Sequence, residues 1–196
     1  MNNTYKIVAD SSADSIYFKS DVPFQSVPLK IIAGDKEFVD RDGLDVQSMV
    51  EYLASYKGKS STACPSVMDF VEAFGDAENI ICVTITGTLS GSYNAACIAK
   101  EEYISKHPDR NVHVINSLSA GPELKLIIEK AEELIKSNTP FDEICKTLEK
   151  IRYRNGIRDN YSSRLHYISW WINDSAKRNM VREVQTEKQM LICAIM

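Results

Sequence analysis

The hydroxyl side chains that could hold or attack a ligand are gathered in a few short stretches. Val83 to Tyr93 reads V-T-I-T-G-T-L-S-G-S-Y, placing Thr86, Thr88, Ser90 and Ser92 around Gly87 and Gly91. Ser60 to Ser66 reads S-S-T-A-C-P-S, and Asp10-Ser11-Ser12 and Asn116 to Gly121 each follow an apolar run. A strand that opens through glycines and small hydroxyls into a helix makes an anion site. The helix N-terminus presents unpaired N–H groups and a positive dipole end, glycine admits close backbone approach, and Ser or Thr adds donors. The expectation at Thr84 to Tyr93 is a turn that holds the acidic head of a ligand. On residue type alone each of these hydroxyls could equally serve as a helix cap.

Other chemistries have weaker support. The turn has no lysine after Gly91, so it lacks the G-x-x-x-x-G-K-[ST] phosphate loop. G-x-S-x-G is absent, because only one glycine flanks Ser90, and the three histidines are His107, His113 and His166. His113 reads as structural within a strand, and His107 precedes Pro108 in a surface loop. Cys64 has no basic neighbour in sequence to activate its thiol and reads as a small lining residue. Asp10 reads as a cap for the turn that follows it. Asp40, Asp42 and Asp45 form no calcium-loop pattern and read as solvated charges.

Several elements must position these groups. Tyr5 to Ala9 is an apolar strand, followed by a short helix over Ala13 to Lys19. Phe24 to Ile32 reads as a second strand with Pro23 and Pro28 near its edges. Gly34-Asp35 turns into Lys36 to Val39. Helices are expected over Asp45 to Tyr56, from Pro65 or Ser66 onward, from Ser92 to Ser105, over Glu123 to Lys136 and from Pro140. Ser60 to Ser66 reads as a hydroxyl-rich loop. Ile80 to Ile85 is the central strand and Val112 to Ile115 another. Such alternation predicts an α/β fold with a mainly parallel sheet flanked by helices. Ligands in these folds sit beyond the carboxyl ends of the strands, so the turns after Ala9, Ile85 and Ile115 are expected at one sheet edge.

At 196 residues, 44% hydrophobic and 26% charged, the chain has the composition of a globular protein with a sizeable core. A net charge of -4 argues against nucleic acid as the main partner. No run resembles a signal peptide or a membrane span. The cysteines are odd in number, Cys64, Cys82, Cys97, Cys145 and Cys193, with no C-x-x-C pair. That pattern fits reduced thiols in a cytoplasm and gives no basis for a zinc site or a disulfide framework. Residues 151 to 196 carry 8 Lys+Arg against 4 Asp+Glu, leaving 15 against 23 in the first 150. Both tryptophans, Trp170 and Trp171, lie in this basic tail, where periodicity is lost. A boundary is expected near Ile151 to Gly156, dividing 1–156 from an atypical segment 157–196.

Five stretches together resemble the DegV family. They are V-A-D-S-S-A-D at Val8 to Asp14, V-P-L-K-I at Val27 to Ile31, S-T-A-C-P-S at Ser61 to Ser66, I-T-G-T-L-S-G-S-Y at Ile85 to Tyr93 and I-N-S-L-S-A-G-P-E at Ile115 to Glu123. The resemblance implies a bacterial fatty acid-binding protein with an N-terminal α/β domain and a second domain that closes over a long acyl chain. It implies no cofactor and no phosphoryl-transfer chemistry of its own. Some members hand the bound acid to a separate fatty acid kinase subunit. The family's carboxylate-holding Thr and Ser fall on Thr62 and Ser90, with Ser61, Gly91 and Ser66 around them. Two positions depart from the family pattern: Ala63 stands where Ser is usual, and Asn116 where an acidic residue is common.

Family members are usually longer, and the sequence after Gly156 does not follow their second domain. The basic residues that the family brings to the head group come from that part and are not carried over. A truncated or frameshifted product would have this character, as would a variant with a replacement segment. The alternatives to fatty acid binding are a hydrolase or phosphotransferase using Ser90 or Asp10, and a truncated, non-functional member. Oligomerisation is a further expectation, since a second copy could cover an open groove.

Overall fold

Side chains along three neighbouring strands alternate between two buried faces. In β1 (Tyr5–Asp10), Ile7 and Ala9 point to one side and Val8 to the other. In β6 (Asn79–Thr84), Ile81 and Val83 share the first side while Ile80 and Cys82 share the second. In β7 (Asn111–Asn116), Ile115 takes the first side, Val112 and Val114 the second. Strands buried on both faces read as near-continuous apolar runs, which is the signature of a parallel sheet covered by helices. The computed structural model describes residues 4–13 and 21–158, and there the sheet places β1 between β2 (Phe24–Val27) and β6, with β7 beyond β6 and every pairing parallel. The chain is thus α/β with a parallel sheet flanked by helices.

Each face has its own pair of helices. Leu124, Ile127, Ile128 and Ala131 of α4 (Pro122–Lys136) and Ile144 and Leu148 of α5 (Phe141–Arg158) cover the first. Phe70, Ala73 and Phe74 of α2 (Val67–Phe74), with Ala96, Ala99 and Tyr103 of α3 (Ser92–Lys106), cover the second. Burying Phe70 or Phe74, each fully inaccessible, contributes about 1.5–3 kcal/mol. The buried Tyr103 places its hydroxyl on the carbonyl oxygen of Gly75 at 2.8 Å and so brings no unpaired polar group into this layer.

The expected strand over Phe24 to Ile32 is two strands in two sheets. β2 (Phe24–Val27) pairs in parallel with β1, whereas β3 (Lys30–Ala33) pairs antiparallel with β4 (Lys36–Val39) and with β5 (Ser60–Ala63). Pro28, which has no N–H to donate, stands at the break, and the N–H of Leu29 goes instead to the Ser11 hydroxyl at 3.0 Å. The hydroxyl-rich loop starts as β5 in this second sheet, with Thr62 opposite Ile31. Met49 of α1 (Val46–Ser55), with Leu29 and Ile31, forms a small core beneath it.

After β1 the chain makes a single 3-10 turn, Ser11–Ala13, and the rest of the helix expected to Lys19 lies outside the described residues. So do the tail residues 159–196, including His166, Trp170, Trp171 and Cys193. The composition shift at Ile151 to Gly156 falls within α5.

Candidate functional site

β1 and β6 are neighbours, yet the chain leaves β1 toward β2 on one side and returns to β6 on the other. Their carboxyl ends therefore flank the point where strand order reverses, the place where open α/β sheets leave a crevice. Asp10 ends β1 and is fully buried. One carboxylate oxygen accepts the backbone N–H of Ile85 at 2.8 Å; the other accepts the N–H of Ser12 at 3.3 Å and the Ser12 hydroxyl. Ser92, at the head of α3, is also fully buried. Burial outweighs these bonds and pushes the Asp10 carboxyl up to about 6. The expected capping role is thus joined by a tie to a turn 75 residues away.

From Thr84 the chain turns through Ile85 to Gly91. Leu89 and Ser90 donate their N–H groups to the carbonyl of Thr86 at 3.1 and 3.2 Å. The Thr86 N–H goes to the carbonyl of Ser119 at 2.9 Å, and that of Gly87 to the Asn116 side-chain oxygen at 3.1 Å. The three strand-end turns therefore gather at one edge, stitched by Asp10 on one side and Asn116 on the other. The third turn needs special backbone: Gly121, just before Pro122 opens α4, has φ 72.

α3 begins at Ser92 with Gly91 at its N-cap position, and no side chain caps it. The Ser90 hydroxyl accepts the Ser92 N–H at 3.3 Å and lies 3.2 Å from the Ser92 hydroxyl. A helix of 15 residues thus starts at this turn with its positive end beside Ser90.

The other predicted residues lie in β5 and on the loop from β5 to α2. A Cβ added at Gly91 would stand 2.9 Å from the Cys64 sulfur, so this loop and the start of α3 come into direct contact. Thr62 sits in β5, half-buried, and its hydroxyl has no hydrogen bond among the described residues. Ser61 is exposed. Ser66 forms a capping box: its hydroxyl accepts the Asp69 N–H at 3.2 Å, and Asp69 accepts the Ser66 N–H at 2.7 Å. The structure thus sets Gly91, next to Ser90, against Cys64 of the loop that follows Thr62, and commits the Ser66 hydroxyl to its helix.

Sequence reading did not single out Asp10, Ser92 and Asn116 as the supports of this site. The signal for them was that three polar turns follow three strands; which side chain braces which backbone N–H is set by strand order. Among the described residues no group of three or more His, Cys, Asp or Glu could hold a metal, and no helix is long and apolar enough to cross a membrane.

Comparisons with known proteins bear directly on this arrangement. A DegV domain-containing protein of Streptococcus gordonii is 45% identical over 148 residues, covering 74% of this chain and 53% of that protein. A Streptococcus pneumoniae DegV domain-containing protein is likewise 45% identical over 150 residues. Among solved structures, the Streptococcus pneumoniae fatty acid kinase (Fak) B3 protein loaded with linoleic acid superposes with a TM-score of 0.74 at 43% identity, covering 76% of this chain and 54% of that one. A DegV family protein from Eubacterium eligens loaded with heptadecanoic acid gives 0.74 at 38% identity, with coverage of 76% and 54%. The chain spans about half the length of the curated relatives it matches. Residues 124–195 also match a family described as N-acetylmuramoyl-L-alanine amidase-like, a span under half of the chain whose described part is α4 and α5. Residues 4–157, which hold both sheets and every turn of the site, match the family described as uncharacterised protein, DegV family; the chain belongs to the DegV family.

Proposed function

We propose that this chain binds a long-chain fatty acid by its carboxylate at the meeting of the β5–α2 loop and the start of α3. Thr62 and Ser90 donate hydroxyl hydrogen bonds to the carboxylate, with Ser61, Gly91 and Ser66 around them. The observation that carries the reading is the contact of Cys64 with Gly91, which sets a hydroxyl-bearing loop against an uncapped helix N-terminus. Two similar structures, at 43% and 38% identity, are loaded with fatty acids.

Charge-assisted hydrogen bonds of this kind contribute about 1.5–3 kcal/mol each. Burial of the acyl chain supplies the greater part, at about 0.8 kcal/mol per CH₂. The protein contributes binding and no covalent chemistry, and it presents the acid to a separate fatty acid kinase subunit in the cytoplasm. In this reading residues 1–156 are the DegV-type unit and 157–196 an atypical segment, with self-association as a further property.

Titration with a fluorescent long-chain fatty acid tests the assignment. The Thr62→Ala/Ser90→Ala double variant should bind at least about tenfold more weakly than wild type. Equal affinities would sink the head-group assignment. Release of a new product during the titration would mark turnover instead of binding.

A further inference from the structure

We propose that Leu118 is a further ligand-binding residue of this site, the apolar contact for the acyl carbons that follow the carboxylate. The inference rests on the reading of Thr62 and Ser90 as carboxylate donors and adds the place where the hydrocarbon leaves the head group.

Leu118 stands in the turn after β7 with φ 57, in the left-handed region. There the Cβ of an L-residue crowds the following carbonyl oxygen, so glycine and asparagine are the usual occupants and leucine is an outlier. The other non-glycine residue with positive φ among the described residues is Asn138, just beyond the C-cap of α4, where asparagine is a common choice. Hydrogen bonds hold Leu118 from both sides. The Ser117 N–H goes to the carbonyl of Thr84 at 3.1 Å, and the carbonyl of Ser119 accepts the Thr86 N–H at 2.9 Å and the Ser117 hydroxyl at 3.0 Å. The Leu118 N–H donates to the Asn116 side-chain oxygen at 3.2 Å, the same atom that takes the Gly87 N–H at 3.1 Å. A strained residue persists where its surroundings over-determine it, and such residues cluster at ligand sites.

The side chain held in this way is not spent on the core. Leu118 is 40% exposed, while Ser117 before it is buried. Among the described residues the exposed large apolar side chains are those of Met68, Ile98, Leu118 and Leu126. Met68, Ile98 and Leu126 lie on α2, α3 and α4, and Leu118 alone of the four lies on a strand-end turn. Its surroundings there are the hydroxyl-bearing Thr86, Thr88, Ser90 and Ser119, which suit an anion and leave hydrocarbon uncovered. The shared Asn116 oxygen sets Leu118 beside Gly87, in the turn that carries Ser90. A fatty acid fixed at Ser90 therefore finds apolar cover for its first methylenes at Leu118.

The test is titration with a fluorescent long-chain fatty acid, with hexadecanoate as competitor, beside urea unfolding without ligand. Leu118→Asn and Leu118→Gly suit the left-handed backbone and remove the contact, whereas Leu118→Met keeps an apolar side chain of similar volume. The Asn and Gly variants should unfold at a urea midpoint equal to or above that of wild type, yet bind about five- to tenfold more weakly. Leu118→Met should bind within about twofold of wild type. A lowered midpoint in both Leu118→Asn and Leu118→Gly would show that the leucine holds the turn together, and overturns the proposal. Unchanged affinity in these two variants, with Thr62→Ala/Ser90→Ala still weakened, overturns it and leaves the head-group reading standing. Loss of self-association in Leu118→Asn at unchanged affinity would show that a second copy covers the leucine, and also overturns it. If wild type binds neither fatty acid, the fatty acid reading fails and the role of Leu118 falls with it.

Discussion

The carboxylate of Asp10, at the end of β1, accepts the backbone N–H of Ile85, just beyond β6, at 2.8 Å across 75 residues of chain. This bond closes the sheet edge where strand order reverses, and it fixes the turn that carries Ser90.

Asp10 makes stability depend on pH in an unusual direction for a carboxylate. Its value rises from 3.8 to about 6 on burial, so the folded protein holds the proton more tightly than the unfolded chain. Its contribution therefore falls as pH rises from about 4 to about 6 and stays at its minimum above that, a change on the order of 3 kcal/mol. Asp10→Asn should remove this component. The check is the difference in urea midpoint between wild type and Asp10→Asn as a function of pH; a constant difference would contradict it.

Asp10→Ala should cost more than the loss of a surface carboxylate. It strands the buried Ile85 N–H, at about 1–3 kcal/mol. The loss should appear in the thermal midpoint in buffer without fatty acid.

Gly91→Ala tests the contact between the two loops. The backbone at Gly91, φ -70 and ψ -5, suits alanine, so no backbone strain is involved. The new methyl would meet the Cys64 sulfur at 2.9 Å, while the Cys64 Cβ would stand at an ordinary 3.9 Å. Fatty acid affinity should drop several-fold in Gly91→Ala and return in Gly91→Ala/Cys64→Ala, a coupling of about 0.5–1 kcal/mol that a double-mutant cycle would measure. Additive effects would mean that the loops move independently.

Ser66 should behave as a cap in denaturation. Replacing it with alanine removes the acceptor for the Asp69 N–H and costs about 1 kcal/mol. Asp69→Ala breaks the same box, so the double variant should lose less than the sum of the two single losses in urea titration.

Asn116 separates bracing from charge. Its side-chain oxygen accepts from Gly87 at 3.1 Å and from Leu118 at 3.2 Å. Asn116→Asp keeps both acceptor positions, so unfolding should shift by no more than about 0.5 kcal/mol. Asn116→Ala loses both bonds and should cost about 1–2 kcal/mol. Chemical denaturation of the pair distinguishes them.

Local pattern made much of the fold legible. Short apolar runs marked β1, β6 and β7, helical spacing marked α1 to α5, and their succession announced a parallel sheet. Phe24 to Ile32 misled, because its residues favour strand throughout, while Pro28 and the Ser11 hydroxyl divide it between two sheets. Ser60 to Ala63 misled in the opposite way. A run of Ser and Thr carries no apolar period, and its strand form is supplied by pairing with β3, some thirty residues earlier.

By itself the sequence determined most of the secondary structure, the family motifs and the presence of hydroxyl-rich turns after strands, because propensity, turn chemistry and periodicity act over a few residues. Only the tertiary structure decided that Asp10 braces Ile85, that Asn116 braces Gly87 and that Cys64 meets Gly91. Those pairings depend on strand order and register, which are settled by burial of both sheet faces at once and leave no mark at any single position.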